Sequence, residues 1–158
     1  FIQKYFERFS GVKKYVDQTL AFAKKAGYVE TLFGRRRYIP ELKAENFQLR
    51  SAGERMAINM PIQVTAADLM KMAMIAVHEK IERSLSHELG PNEKWKIEDV
   101  KMILQVHDEL VFEVRAGLEK AVGKAVKEAM EGVAKLRVPV EVHVSAGERW
   151  GDLERVEI

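Results

Sequence analysis

Three polar residues, His107, Asp108 and Glu109, stand between two apolar runs in the stretch KMILQVHDELVFEV at 101 to 114. The runs 101–106 and 110–114 read as strands, which makes the polar residues the tip of a hairpin. Favoured two-residue turns need a positive φ and prefer Asn-Gly or Asp-Gly, yet there is no glycine here. Adjacent carboxylates repel unless a cation lies near. Mg²⁺ would suit Asp108 and Glu109, because it takes oxygen ligands and keeps waters and substrate phosphates in its shell. Apolar, covered strands on either side would present the tip rigidly, as catalysis requires. The same residues would also serve as the solvated cap of an exposed turn, and physical chemistry alone weighs the two readings evenly. A helical His-Glu-x-x-His metalloprotease site is a poorer match, since His107, Asp108 and Glu109 sit on a turn.

A second group is the row Arg55, Asn59 and Gln63. Arg55 and Asn59 lie four apart and share a helix face; Gln63 lies four further on, beyond Pro61. Such a row could read the DNA minor groove, where every base pair presents acceptors in nearly the same places. An isolated row of this kind is more often a solvated helix face. A third group is Arg35, Arg36 and Arg37 in GRRRY, which could neutralise phosphates without reading sequence. On a strand Arg36 faces away from its neighbours, so at most two of the three share a contact; charge protecting a sheet edge explains them equally well. Asp68 reads as a helix cap, Met70, Met72 and Met74 as mostly core, and His78, His87 and His143 have no metal-site spacing.

The elements that must hold these groups follow from periodicity and breakers. Residues 1–26 read as helix, interrupted near Ser10 and Gly11. YVETLFGRRRYIP reads as a strand, a turn at Gly34 and a return strand ending at Pro40. AENFQLRSAGERMAIN reads as helix, which Pro61 interrupts. A second helix is expected from Thr65, where Thr65 and Asp68 have capping-box spacing, to about Glu88. A loop is expected at 89–98, then the hairpin, then a long helix within 116–136 whose Glu and Lys residues face solvent. VPVEVHVSAGERW closes the chain as a strand. Hairpins mixed with packed helices give an α+β fold.

The 158 residues are one domain's worth of chain, 47% apolar, with no cysteine. That removes disulfides and thiolate metal sites and fits a reducing compartment. No apolar run reaches ~18 residues, so no membrane span is expected, and no signal peptide is visible at the start. Net charge is +2, so the chain as a whole is no polybasic nucleic-acid binder. The 32% of charged residues, mixed in sign, is a composition common in heat-stable proteins. Phe1, Tyr5, Phe6 and Phe9 share a helical face with no N-cap before Phe1, which suggests one piece of a longer polypeptide.

Several stretches together carry a resemblance. MILQVHDELVFEV resembles the C motif of family A DNA polymerases, the bacterial DNA polymerase I group. GYVETLFGRRRYIPEL is similar to the segment after that family's fingers, ERMAINMPIQVTAADLMKMAM to its long palm helix, and VPVEVHVSAGERW to its last strand, all in the family's order. The resemblance implies a palm hairpin packed with long helices in a larger right-hand polymerase fold. Residues 1–158 would form the end of the fingers and the palm, with no separate exonuclease domain. It implies nucleotidyl transfer from a dNTP to a primer 3′-hydroxyl at two Mg²⁺ ions. Asp108 matches the C-motif metal-binding aspartate, Glu109 its supporting acid, and His107 a residue near the primer terminus. Arg55, Asn59 and Gln63 match positions that contact the duplex or support the site. The implied partners are primer-template DNA, dNTP and the N-terminal remainder of the polymerase, in the cytoplasm with the nucleoid. That remainder would carry the other metal-binding aspartate and the nucleotide-binding fingers helix, since one carboxylate cluster cannot hold two metals for in-line displacement. Val64 departs from the family, standing where Pro-Ile-Gln-Gly-Thr has glycine, and would disturb any backbone that needed positive φ there.

Two other classes of function remain beside this one. A duplex-binding module without catalysis would need no upstream partner. A metal-dependent phosphohydrolase using Asp108 and Glu109 would cleave nucleotide or phosphodiester unaided.

Overall fold

The computed structural model describes residues 1–83 and 96–158, which form two compact units, Phe1–Asp68 and Leu69–Ile158. In the first unit, helix α1 (Ile2–Arg8) stops at Phe9 and helix α2 (Ser10–Ala26) follows. Strands β1 (Tyr28–Glu30) and β2 (Arg36–Tyr38) pair antiparallel, with Val29 opposite Arg37 and Glu30 opposite Arg36. Gly34, at φ 81°, supplies the left-handed residue of their connection, which L side chains adopt rarely. A single 3-10 turn, Pro40–Lys43, leads to helix α3 (Phe47–Arg83). Asn46 caps α3, its Oδ1 accepting from the amides of Gln48 at 2.8 Å and Leu49 at 3.2 Å. Ala23, Val29, Ile39, Leu42, Ala57 and Met60 form the core. Gly53 lets α3 close on the 3-10 turn, since a Cβ there would press on Glu41 and the Leu42 amide.

Contrary to the sequence expectation, α3 runs unbroken through Pro61, and no second helix starts at Thr65. A proline inside a helix removes one amide and crowds the preceding turn. Here further hydrogen bonds hold the helix on either side of the proline. The Tyr15 hydroxyl donates to the Ile58 carbonyl at 2.9 Å. The Thr65 hydroxyl donates to the Pro61 carbonyl and accepts from the Leu32 amide at 3.2 Å. Thr65 and Asp68 are therefore mid-helix and buried, not a capping box. By length and composition α3 could cross a bilayer; it buries Ala57 and Met60 in one core and Val77 and Ile81 in another, as a core helix does.

In the second unit, the expected helix end near Glu88 lies outside the described residues, as do His87 and the loop at 89–98 up to residue 95. A 3-10 turn at Ile97–Asp99 leads into β3 (Val100–Val106), which pairs antiparallel with β4 (Glu109–Val114). Helix α4 (Glu119–Glu131) follows. It buries Val122, Ala125 and Val126 against Val77, Ile81 and Val100, while Lys124 and Glu128 face solvent.

The hairpin is less covered than its apolar sequence suggests. Met102 opposes Phe112, but the next pair is Leu104 with Val111, so Ile103 is an extra residue in β3. This bulge reverses the side-chain alternation. Val100, Met102, Phe112 and Val114 meet the core, whereas Ile103 is 57% and Leu104 44% exposed. The closing stretch is also a correction. Residues 138–144 form no strand; only β5 (Ser145–Ala146) pairs, with β6 (Glu154–Arg155). The segment is held instead by single bonds, such as the Val142 amide to the Glu131 carboxylate at 2.9 Å.

Candidate functional site

The hairpin tip is a two-residue turn, because Val106 pairs directly with Glu109. His107 and Asp108 form the turn, and Glu109 is the first residue of β4. The missing glycine is answered by His107, whose φ is 51°; histidine is among the few side chains enriched in the left-handed region. The Gln105 side-chain amide donates to the His107 carbonyl at 2.6 Å, which holds the turn. His107, Asp108 and Glu109 are all exposed, and among the described residues no hydrogen bond or ion pair engages either carboxylate.

At the base of the hairpin is a pair that sequence reading missed. Asp99, 7% exposed, accepts from the Lys96 amide at 2.7 Å and lies 3.0 Å from the Arg115 guanidinium. The Arg115 amide donates to the Asp99 carbonyl at 2.8 Å. A buried carboxylate needs such partners, and they join the residues just before β3 and just after β4.

In the first unit, Arg55, Asn59 and Gln63 all lie exposed on α3, and Arg55 donates to the Ser51 hydroxyl at 3.0 Å. The row thus shares one open face, and Pro61 does not divide it. Val64 is helical, without positive φ, and packs half-buried against the core beside Ala57 and Met60, so its side chain has a place.

The three arginines have three different environments. Arg35 is held by Asp68, through Nε at 2.8 Å and Nη2 at 2.7 Å on Oδ1. Asp68 Oδ2 also accepts from the Thr31 hydroxyl at 3.0 Å. Arg36 turns to the opposite face, where Nε donates to Glu30 at 2.7 Å and the guanidinium lies 4.8 Å from the Tyr28 ring centre. The Glu30 hydrogen bond, with the nearby Tyr28, raises the Arg36 pKa above its ordinary value. Arg37 reaches the Met56 sulfur at 3.4 Å and, among the described residues, no carboxylate. The signal for Asp68 was available: it continues the buried stripe Ala57, Met60, Val64, and an acid in such a stripe requires a partner.

The donor set at the tip fits a hard cation, being two carboxylates without other partners among the described residues. Among the described residues, no group of three or more metal-ligating side chains comes together. Arg55, Asn59, Gln63 and Arg35–Arg37 belong to the first unit, and His107, Asp108 and Glu109 to the second.

The sequence profile of DNA polymerase family A matches residues 1–152. The thermostable DNA polymerase I of Thermus aquaticus is 48% identical over 150 residues, covering 95% of this chain and 16% of that protein. DNA polymerase I of Pseudomonas aeruginosa is 44% identical over 152 residues, covering 96% of this chain and 15% of that protein. The POL domain of Pol1 from M. smegmatis, solved in complex with DNA primer-template and dNTP, superposes with a TM-score of 0.77 at 41% identity. That match covers 89% of this chain and 23% of that one. The chain thus spans about a sixth of the length of the curated relatives it matches.

Proposed function

This chain belongs to DNA polymerase family A, and from that premise we propose that it is the C-terminal polymerase segment of a DNA-directed DNA polymerase. It forms the end of the fingers and part of the palm. The observation that carries the reading is the exposed, unpartnered Asp108–Glu109 pair on a two-residue turn, inside a chain matched to the family over residues 1–152. Asp108 holds catalytic Mg²⁺ and Glu109 supports it, while His107 stands by the primer terminus. Arg55, Asn59 and Gln63 meet minor-groove acceptors common to all base pairs. Of the three arginines, Arg37 contacts phosphate, because Arg35 and Arg36 are engaged by Asp68 and Glu30.

In the reaction the primer 3′-hydroxyl gives up its proton to solvent as its oxygen bonds to the α-phosphorus, and the bond to pyrophosphate breaks. Mg²⁺, when bound, would make the 3′-hydroxyl a better nucleophile and offset the charge on the phosphates. This chain's residues orient the primer end and supply anionic oxygens at a fixed place. A further metal-binding carboxylate and the nucleotide pocket come from an upstream polypeptide, on the same gene product or a separate chain.

The test is Mg²⁺-dependent primer extension. The 158-residue chain alone should extend no primer, and adding the upstream polypeptide should restore extension. Extension by the chain alone would overturn the shared-site reading, and a silent mixture would overturn the polymerase reading.

A further inference from the structure

The outer face of the β1–β2 hairpin is aromatic. Alternation sets Tyr28, Glu30, Arg36 and Tyr38 on the side away from buried Val29. The Tyr28 and Tyr38 rings lie 5.6 Å apart, tilted by 59°. Phe22 of α2 meets Tyr28 edge-on at 5.5 Å. Arg36, fixed by Glu30, covers Tyr28 from 4.8 Å. Tyr38 is buttressed by this set and is still 69% exposed.

Charge says what would cover it. Residues 1–68 carry twelve Lys and Arg against seven Asp and Glu, a net +5, while residues 69–158 carry fourteen against seventeen, a net −3. Lys25 follows Phe22 on the same face of α2, and Arg37 precedes Tyr38. Because Glu30 already engages the Arg36 cation, Arg36 contributes a flat guanidinium surface more than a phosphate clamp. Aromatic rings and an arginine plane, bordered by cations without carboxylate partners among the described residues, suit stacked bases and a polyanionic backbone.

We propose that Tyr38, backed by Tyr28, Phe22 and Arg36, is a stacking platform for an unpaired base of single-stranded DNA, with Arg37 and Lys25 meeting its phosphates. This rests on the polymerase reading for the identity of the strand, which is the template overhang beyond the duplex. Stacking accepts any base, as a template-directed enzyme needs.

The experiment uses this chain assembled with its upstream polypeptide. Binding is titrated with a recessed primer-template bearing an oligothymidylate overhang, with the same duplex made blunt, and with an overhang of abasic sites. Tyr38→Ala should bind the thymidylate overhang about five-fold or more weaker, and the blunt duplex as wild type does. Tyr38→Phe should keep full affinity, Tyr38→Leu should lose most of it, and all should bind the abasic overhang alike. Equal binding of the thymidylate overhang by wild type and Tyr38→Ala would overturn the proposal. Equal weakening on blunt and overhanging DNA would overturn it too, as would a lowered melting temperature with unchanged DNA binding, which would show the face covered by protein. Binding is read without catalysis, so failure here and failure of primer extension are separate results.

Discussion

Arg115 closes on Asp99 twice, through its guanidinium at 3.0 Å from the carboxylate and its amide at 2.8 Å from the carbonyl. The two residues flank the hairpin that carries Asp108 at its other end. Asp99→Ala should therefore destabilise the protein by about 2–3 kcal/mol, since the Lys96 amide and Arg115 both lose a partner. Arg115→Ala should cost less, about 1 kcal/mol, because Arg115 is half exposed and its ion pair is screened. Urea unfolding of both variants checks this, and an Asp99→Ala variant as stable as wild type would refute the clasp.

Asp108→Asn keeps the size of the side chain and removes its charge. In the assembled enzyme primer-template binding should persist, and the chemical step should fall at least about a thousand-fold, roughly 4 kcal/mol of transition-state stabilisation. Melting temperature should hold or rise, because two adjacent anions become one. Glu109→Gln should cost less than Asp108→Asn. Single-turnover incorporation at saturating Mg²⁺ decides it: a near-normal rate for Asp108→Asn would reduce the tip to a polar turn.

Arg55→Ala and Gln63→Ala remove exposed side chains, so stability should stay within about 0.5 kcal/mol of wild type. Extension by the assembled enzyme should nevertheless weaken by about 1–3 kcal/mol, and by similar amounts for every terminal base pair. A penalty confined to one base pair would show that these residues do not read the shared acceptors.

Burial raises the Tyr15 pKa above its ordinary value of 10.0, against a smaller lowering by Thr19. A group whose pKa is raised on folding contributes its stability fully below the unfolded pKa and loses it as pH climbs through the folded one. Stability should therefore decline above pH ~10, where the unfolded chain ionises first. Tyr15→Phe should cost about 1 kcal/mol at neutral pH by losing the bond to the Ile58 carbonyl, and its alkaline decline should be shallower. Parallel urea titrations at neutral and alkaline pH measure the difference, and identical slopes would contradict the burial effect.

Local sequence announced the hairpins, the α+β class and the exposed Arg55–Asn59–Gln63 row, because each follows from periodicity within one element. What it concealed depends on distant partners. Pro61 reads as a stop until Tyr15 and Leu32, far away in sequence, bond to the helix around it. Asp68 reads as a cap until Thr31 and Arg35 reach it. At the tip, the type of each residue was legible, while the left-handed turn at His107 was not, since glycine is the usual marker for it. Ile103 gave no sign at all, because an apolar residue in an apolar strand fits either side of the pleat.

That inserted residue makes β3 a strand of two phases. Up to Met102 the even positions meet the core; from Leu104 onward the pairing with β4 resumes one residue out of step. Adding or removing one residue between Ile103 and His107 would therefore swap Gln105 with its neighbours and unseat the bond that holds the turn, whereas a change of two would preserve the phase. Deleting Ile103 itself would bring the pairs Met102–Phe112 and Leu104–Val111 into one regular ladder, so the strand would lose its bulge while the His107–Asp108 end kept its face.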